Sequence, residues 1–414
     1  MQTQDEMERE LIALRVAPPL TRPGIAQRAT VIAQRAAAVA EPPAAWIRAH
    51  SWPILVYAGT RIVLLLVAWL DVIITRHPLA GELSLFDGRW YLAVLDAGYP
   101  DYAVHGKSTL GFLPAYPLAI RAVATVTTSS PLVAALLISL VGGLVTAVLV
   151  GRLTGHWWGE RGARKAVLVY CLFPGSIVFS MAYSECLTLP LVLGCLLALR
   201  RRRWALAGAQ AAVAGAVEPA AAILILVCLA AAWQEIASAG WQDRTARRSV
   251  LAPLLAPAGL AAFAVYLWDR TGTPFASLAA QRYGWHQGDP FALLDQPVAQ
   301  RLLAHPVSVF GHLGNFSLWN GLLGTVFLLF ALRQLWRHRD ELSPGTMVWT
   351  LGVGAMTLWS VMTLTNARML LIAFPAVVIW ARILEGRRFR LFLAAETAVF
   401  VLASALTLAG LMLP

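Results

Sequence analysis

The sequence predicts an all-α, polytopic membrane bundle of about 11 spans, with its N-terminus inside and its C-terminus outside. Three observations carry this expectation. First, 58% of the 414 residues are hydrophobic and only 13% are charged, against about 25% charged in a soluble domain; the mean hydropathy is +0.65. There is too little polar surface to clothe several soluble cores. Second, apolar runs close to the roughly 20 residues needed to cross a bilayer recur along the chain. Third, the 33 basic residues against 22 acidic ones, a net charge of +11, are gathered in clusters between those runs. That is the pattern by which membrane proteins fix their orientation. A basic chain also invites a nucleic-acid reading, but no basic stripe stands outside the connecting segments, so no nucleic-acid partner is expected.

The elements follow in order. Residues 1–51 are polar, with six arginines from Arg9 to Arg48, and read as a cytoplasmic tail. Ile25, Arg28, Ile32 and Arg35 hint at a short amphipathic helix on the membrane surface. Residues 52–414 form the transmembrane domain. Its expected spans are 52–74, 131–151, 165–182, 184–199, 250–268, 313–332, 345–364, 369–382 and 391–412. Two stretches need arbitration. Residues 111–127 contain Pro114, Pro117 and Arg121, and residues 204–234 are broken at Glu218-Pro219. Placing every arginine cluster inside requires an even number of crossings between clusters. By that rule 111–127 lies along the outer interface without crossing, and 204–234 is a two-pass hairpin turning at Glu218-Pro219.

The outer segments are then 75–130, a point near Tyr183-Ser184, the Glu218-Pro219 turn, the loop 269–312, and the link from Thr365 to Arg368. Long connections on one face are where function is usually carried. The four cysteines, Cys171, Cys186, Cys195 and Cys228, fall inside apolar runs without C-x-x-C or zinc spacing, and read as small buried hydrophobes. No cleavable signal peptide is visible, since the first long apolar run begins near Trp52.

The densest polar constellation runs from Ser84 to Tyr91 and on through Asp96, Gly98-Tyr99-Pro100 and Phe112-Leu113-Pro114-Ala115-Tyr116-Pro117. Phe86, Trp90 and Val94 share one helical face, which suits a helix lying in the outer interface. Asp87 on such a helix is placed to act as a base. Ser84 and Asp87 also have the S-x-x-D spacing of a capping box, and at this point both readings stand. Four more polar groups come from distant segments. Glu185, after Tyr183-Ser184, is an acid close to hydrocarbon or a first-turn acid of a helix. Glu218-Pro219 is a turn whose proline opens the next helix. Arg282, Tyr283, Trp285 and His286 are binding groups or interfacial anchors. Arg368 is a phosphate ligand or a snorkelling anchor. All land on the outer face, where an acid, arginines suited to phosphate and aromatics suited to a sugar face would share one surface. P-loop, G-x-G-x-x-G, H-E-x-x-H, G-x-S-x-G and D-x-D motifs are absent, so there is no ready metal–diphosphate clamp, and metal use is left open.

These residues resemble the PIG-V-type mannosyltransferases, a family that includes the second mannosyltransferase of GPI-anchor assembly and bacterial relatives. Phe86-Asp87-Gly88-Arg89-Trp90-Tyr91 with Gly98-Tyr99 is similar to its W-D-G-x-W-Y…G-Y pattern. Phe112 to Pro117 is similar to its F-F-P-L-Y-P segment, and Phe173-Pro174…Tyr183-Ser184-Glu185 to its F-P…Y-S-E segment. Arg270-Thr271-Gly272 with Gln281 and Trp285 is similar to its R-T-G…Q…W loop, and Arg368 with Phe374-Pro375 to its R-Y-L-L-x-x-F-P segment. The matches run in order over about 75–380 of the chain.

The resemblance implies a bundle of GT-C type in the cell membrane with an active site on the extracytoplasmic face. It implies a polyprenyl-phosphate-linked mannose donor, a glycolipid, glycan or protein acceptor, and inverting transfer with Asp87 as general base. Arg89 and Arg368 are the expected ligands of the leaving phosphate, and Trp90, Tyr91, Tyr183, Glu185, Arg282, Trp285 and His286 the expected substrate contacts. Three departures stand out. Phe86 replaces the family's Trp, Glu218-Pro219 stands where relatives tend to have Arg, and His286-Gln287 where they tend to have Gly-Arg. The usage of Arg and Ala is that of a high-GC bacterial genome, which points to an acceptor other than a GPI precursor. Two alternatives from other classes are a transporter or flippase of lipid-linked sugars and a non-catalytic partner subunit of another membrane glycosyltransferase.

Overall fold

The computed structural model describes residues 50–76, 78–285, 316–358 and 365–414. The chain divides into two units, Met1–Ser51 and Trp52–Pro414. The expected tail with its amphipathic helix, most of the outer loop 269–312 with His286, and residues 359–364 lie outside the described residues. Among the described residues every regular element is helical and no strand occurs.

Among the described residues, five helical runs are long and apolar enough to cross a membrane: Ser51–Thr75, Pro131–Leu172, Pro219–Ala239, Arg244–Thr271 and Gly386–Leu408. A sixth arises if Pro174–Ser180 and Glu185–Arg200, which bend through 109° at their junction, are taken as one broken span. The 11 expected include 313–332 and 345–364, which lie partly outside the described residues, and the run Pro131–Leu172 holds two helices. The expected spans 131–151 and 165–182 fall on two helices joined by a sharp break at Gly159, at φ 68°. A Cβ on Gly151 would meet Val167 and one on Gly155 would meet Ala163, so the two pack back on each other as a hairpin. The second of those spans ends early. Pro174 cannot continue an α-helix, and Pro174–Ser180 is a 3₁₀ segment. In the stretch 345–364 the described residues are helical, Pro344–Leu358, and 369–382 is divided at Ala373 into Ala367–Ile372 and Phe374–Ile383.

The two arbitrated stretches resolve as follows. Residues 204–234 form two helices, Trp204–Gly215 and Ile223–Ala239, separated at Glu218-Pro219, where the proline opens a 3₁₀ turn. In 111–127 the helix is Ala115–Thr127, of 13 residues. It rises about 20 Å, too short for a hydrocarbon core of about 30 Å.

The core is continuous and small-residue rich. Ala134, Ala135, Ala207, Ala214, Cys186 and Cys195 are fully buried where helices meet, as expected where packing lets backbones approach closely. One buried cation, Arg61 on the first helix, sits within it at 5% exposure. Its Nη1 donates to Ser176 O at 2.9 Å and Ser180 Oγ at 3.0 Å, and its guanidinium lies 4.9 Å from the Tyr57 ring. The 3₁₀ segment is thereby held against the first helix. This matters because the same segment supports the site described next.

Candidate active site

The Asp87–Ala97 helix begins without a side-chain cap. Ser84 Oγ donates backward to Ala80 O and Gly81 O, so the expected capping box does not form. The residue before the helix, Phe86, instead adopts φ 59°, a conformation costly for any side chain with a Cβ. Asp87 forms an ion pair through Oδ2 with Arg368 Nη1. Arg368 is carried by the helix Ala367–Ile372, whose start is capped by Asn366 accepting from Met369 N at 3.0 Å. Its Nε also pairs with Glu185 Oε1 at 3.2 Å, and its guanidinium lies 5.2 Å from the Tyr183 ring centroid. Burial works against the charge on Arg368, but Asp87 and Glu185 outweigh it and hold its pKa above the ordinary arginine value.

A second polar chain runs alongside. Tyr91 Oη donates to Ser184 Oγ at 2.7 Å, and Ser184 Oγ donates to Glu218 Oε2 at 2.5 Å. Burial raises the pKa of Glu218 above the usual carboxylate range, opposed in part by the Ser184 hydrogen bond and by Arg368. Burial likewise keeps the Tyr91 phenol protonated, so it remains a donor. Glu185 is 2% exposed, and its Oε2 has no partner.

An aromatic wall completes the site. Trp90 stacks on Phe112 at 5.8 Å and 9°, and Trp285 meets both rings edge-on at 5.4 Å. The helix Ala276–Trp285 is fixed to the segment 75–130 by Gln281 Nε2, which donates to Gly111 O at 2.5 Å. Arg270 binds the same segment through Tyr99 O, at 3.2 Å, and Asp101, at 2.5 Å.

These groups enclose a cavity of about 760 Å³, lined among others by Phe86, Asp87, Trp90, Tyr91, Tyr183, Glu218, Trp285 and Arg368. Residues distant from one another in the chain thus converge. Among the sequence-expected residues, Asp87, Trp90, Tyr91, Tyr183, Trp285 and Arg368 line it, and Glu185 sits behind Arg368. Arg89 is exposed and off the cavity wall, and so is Arg282, which lies over the Tyr283 ring at 5.9 Å. His286 lies outside the described residues. The lining also includes polar and aromatic residues that were not among the expected site residues, Glu218, Lys107, Phe112 and Asn366 among them. Glu218 is an acid inside an apolar stretch and Lys107 one of the chain's few lysines, signals the sequence did offer. Phe112 stands in the segment similar to F-F-P-L-Y-P, while Asn366 carries no comparable sign. Among the described residues no group of three or more His, Cys, Asp or Glu side chains is placed to hold a metal ion.

No family model matches the chain, and no curated protein does. Solved structures of the Archaeoglobus fulgidus oligosaccharyltransferase do. The complex with zinc and sulfate is 16% identical with a TM-score of 0.45, covering 83% of this chain and 53% of that one. The form tethered to an acceptor peptide is 14% identical with a TM-score of 0.46, covering 88% and 56%. The complex with an inhibitory peptide and a dolichol-phosphate is 13% identical with a TM-score of 0.44, covering 84% and 56%. The chain therefore spans little more than half the length of the structures it matches.

Proposed function

We propose that this chain is a GT-C-type membrane mannosyltransferase that moves mannose from a polyprenyl-phosphate donor to an acceptor on the extracytoplasmic face of the cell membrane. The observation that carries the reading is the pairing of Asp87 with Arg368 in the wall of a large aromatic-sided cavity. It joins two segments, D-G-R-W-Y and R-M-L-L, that resemble the PIG-V-type pattern. The cavity lies at the Glu185 end of the Glu185–Arg200 helix, away from the arginine run that closes that helix.

The reaction is a single displacement. An acceptor hydroxyl attacks the anomeric carbon, the new C–O bond forms as the bond to the lipid phosphate breaks, and the configuration inverts. Asp87 takes the hydroxyl proton. The phosphate leaves with its negative charge, which the Arg368 guanidinium is shaped to bind through two oxygens. Trp90 and Trp285 offer the apolar faces on which a sugar ring stacks. Glu185 keeps Arg368 oriented while its other partner changes.

The test is transfer by the purified full chain in lipid nanodiscs, given radiolabelled polyprenyl-phosphomannose and extracted envelope acceptors. Labelled acceptor is expected from the wild type and not from Asp87→Asn. Movement of the donor across vesicles with no transfer, from a well-folded preparation, would sink the enzyme reading and favour a carrier.

A further inference from the structure

A second cavity, of about 240 Å³, lies at the opposite end of the same helices. The Glu185–Arg200 helix has Glu185 beside Arg368 and Arg200 in the wall of this second cavity. Its 16 residues rise about 24 Å. The Ile223–Ala239 helix follows Glu218 and Pro219, which line the first cavity, and presents Gln234, Glu235 and Ser238 to the second. The second cavity is therefore on the face of the arginine clusters, the cytoplasmic face by the charge rule.

Two buried groups in its wall lack partners. Trp204, 6% exposed, has an Nε1 donor with no acceptor. Glu235, 9% exposed, uses Oε2 to hold Arg202 at 3.2 Å, while its Oε1 has no donor. Buried polar atoms in native proteins are almost always paired. Whatever satisfies both must offer an acceptor to Trp204 and a donor to Glu235 within one small space. Arg200 and Arg202 at the rim ask in addition for an anion. Trp157, Leu196 and Leu199 continue the wall in apolar surface.

We propose that this cavity binds the phosphoethanolamine headgroup of a membrane phospholipid. The phosphate accepts from Trp204 Nε1 and the two arginines, the ammonium donates to Glu235 Oε1, and the first carbons of the lipid lie along the apolar wall. A phosphoglycerol headgroup offers only neutral hydroxyl donors to Glu235, and a phosphocholine headgroup offers none. The site is independent of the glycosyl-transfer reading and stands without it.

The experiment measures lipid retained by the purified full chain, by native mass spectrometry and thermal shift in detergent, with phosphatidylethanolamine, phosphatidylglycerol, phosphatidylcholine or water-soluble O-phosphoethanolamine added. One phosphatidylethanolamine per chain is expected, preferred over phosphatidylcholine by about tenfold or more, the worth of one charge-assisted hydrogen bond. Glu235→Gln should remove most of that preference, whereas Trp204→Phe should lower the retention of all the phospholipids alike, because the phosphate is common to them. Glu235→Gln folds in any case, because its partner Arg202 has a 63% exposed side chain and is satisfied by water. Equal retention of phosphatidylcholine, or an unchanged preference in Glu235→Gln, overturns the proposal, as does a cavity that retains no lipid. Protection by O-phosphoethanolamine equal to that by the lipid overturns the assignment to a membrane ligand.

Discussion

Arg368 and Asp87, 281 residues apart in sequence, form an ion pair at the wall of the large cavity. The same guanidinium holds Glu185 at 3.2 Å on its other edge, so one cation ties the Asp87–Ala97 helix to a buried acid. Asp87→Asn keeps an oxygen for Arg368 but cannot take a proton. Transfer should fall by about two to four orders of magnitude, the usual worth of a general base, with the melting temperature nearly unchanged. Initial rates beside a thermal melt check this. Loss of fold in step with loss of rate would assign Asp87 a structural role only.

Removing the cation acts differently. Arg368→Gln leaves Glu185, 2% exposed, as a buried charge without its partner, a change that costs about 3–5 kcal/mol. Arg368→Gln combined with Glu185→Gln should recover most of that stability, because no buried charge is then left alone. Transfer should stay low in the double variant, since nothing replaces the cation facing the leaving phosphate. Recovery of activity together with stability would show that Arg368 serves packing alone.

Gly175 positions that cation from behind. A Cβ built on it would stand 2.3 Å from Ala367 O and 3.0 Å from Arg368 N, and both neighbours are backbone. Gly175→Ala must push the start of the Ala367–Ile372 helix outward, at about 1–3 kcal/mol for overpacking. A shift of even 1 Å at a catalytic group can cost on the order of 100-fold in rate. The expectation is a modest fall in melting temperature with a disproportionate fall in kcat and little change in KM. Equal losses in both parameters would argue against a positioning effect.

The helical membrane character, the break at Glu218-Pro219 and the short Ala115–Thr127 helix were legible because they follow from composition, proline and run length. The extent of the helices on either side of the basic link 152–164 was not. The arginine-bearing link 152–164 reads as a loop by charge, yet Arg and Ala are good helix formers, and the two helices run through it from either side to meet at Gly159. Within the site, Asp87 and Arg368 were visible as ionisable groups in a charge-poor chain. Their mutual contact was not, because no local pattern connects residues from opposite ends of a fold. Arg61, buried in the first helix, was hidden in the opposite way. It was read as part of an apolar span, though an arginine at that depth is itself a signal.

Glu82 gives a pH signature. It is 5% exposed, and burial together with nearby Asp71 raises its pKa from the usual 4.5 to about 7. Between those values the folded chain holds a proton that the unfolded chain has released, so stability falls as pH rises through that window. Glu82→Gln cannot ionise and should lose this part of the slope. Melting curves at pH 5 and pH 8 should show the variant gaining a few degrees on the wild type at the higher pH, on the scale by which about 1 kcal/mol moves a melting point. Parallel curves at both values would remove Glu82 from the account.

Ser184 is the junction of the second polar chain, accepting from Tyr91 at 2.7 Å and donating to Glu218 at 2.5 Å. Ser184→Ala strands a buried phenol donor and deprives a buried carboxylate of its donor, together worth on the order of 1–3 kcal/mol. The second loss has a direction. The Ser184 hydrogen bond holds the Glu218 pKa down against burial, so without it Glu218 stays protonated to higher pH. If transfer requires the ionised carboxylate at the cavity wall, the acidic limb of the rate profile moves to higher pH in Ser184→Ala. Ser184→Thr keeps the hydroxyl and should leave that limb near its wild-type position, even if the added methyl lowers stability. Rate profiles from pH 5 to pH 9 separate the two effects: a drop in melting temperature with an unmoved acidic limb would leave Ser184 and Glu218 as structural support for Tyr91 and nothing more.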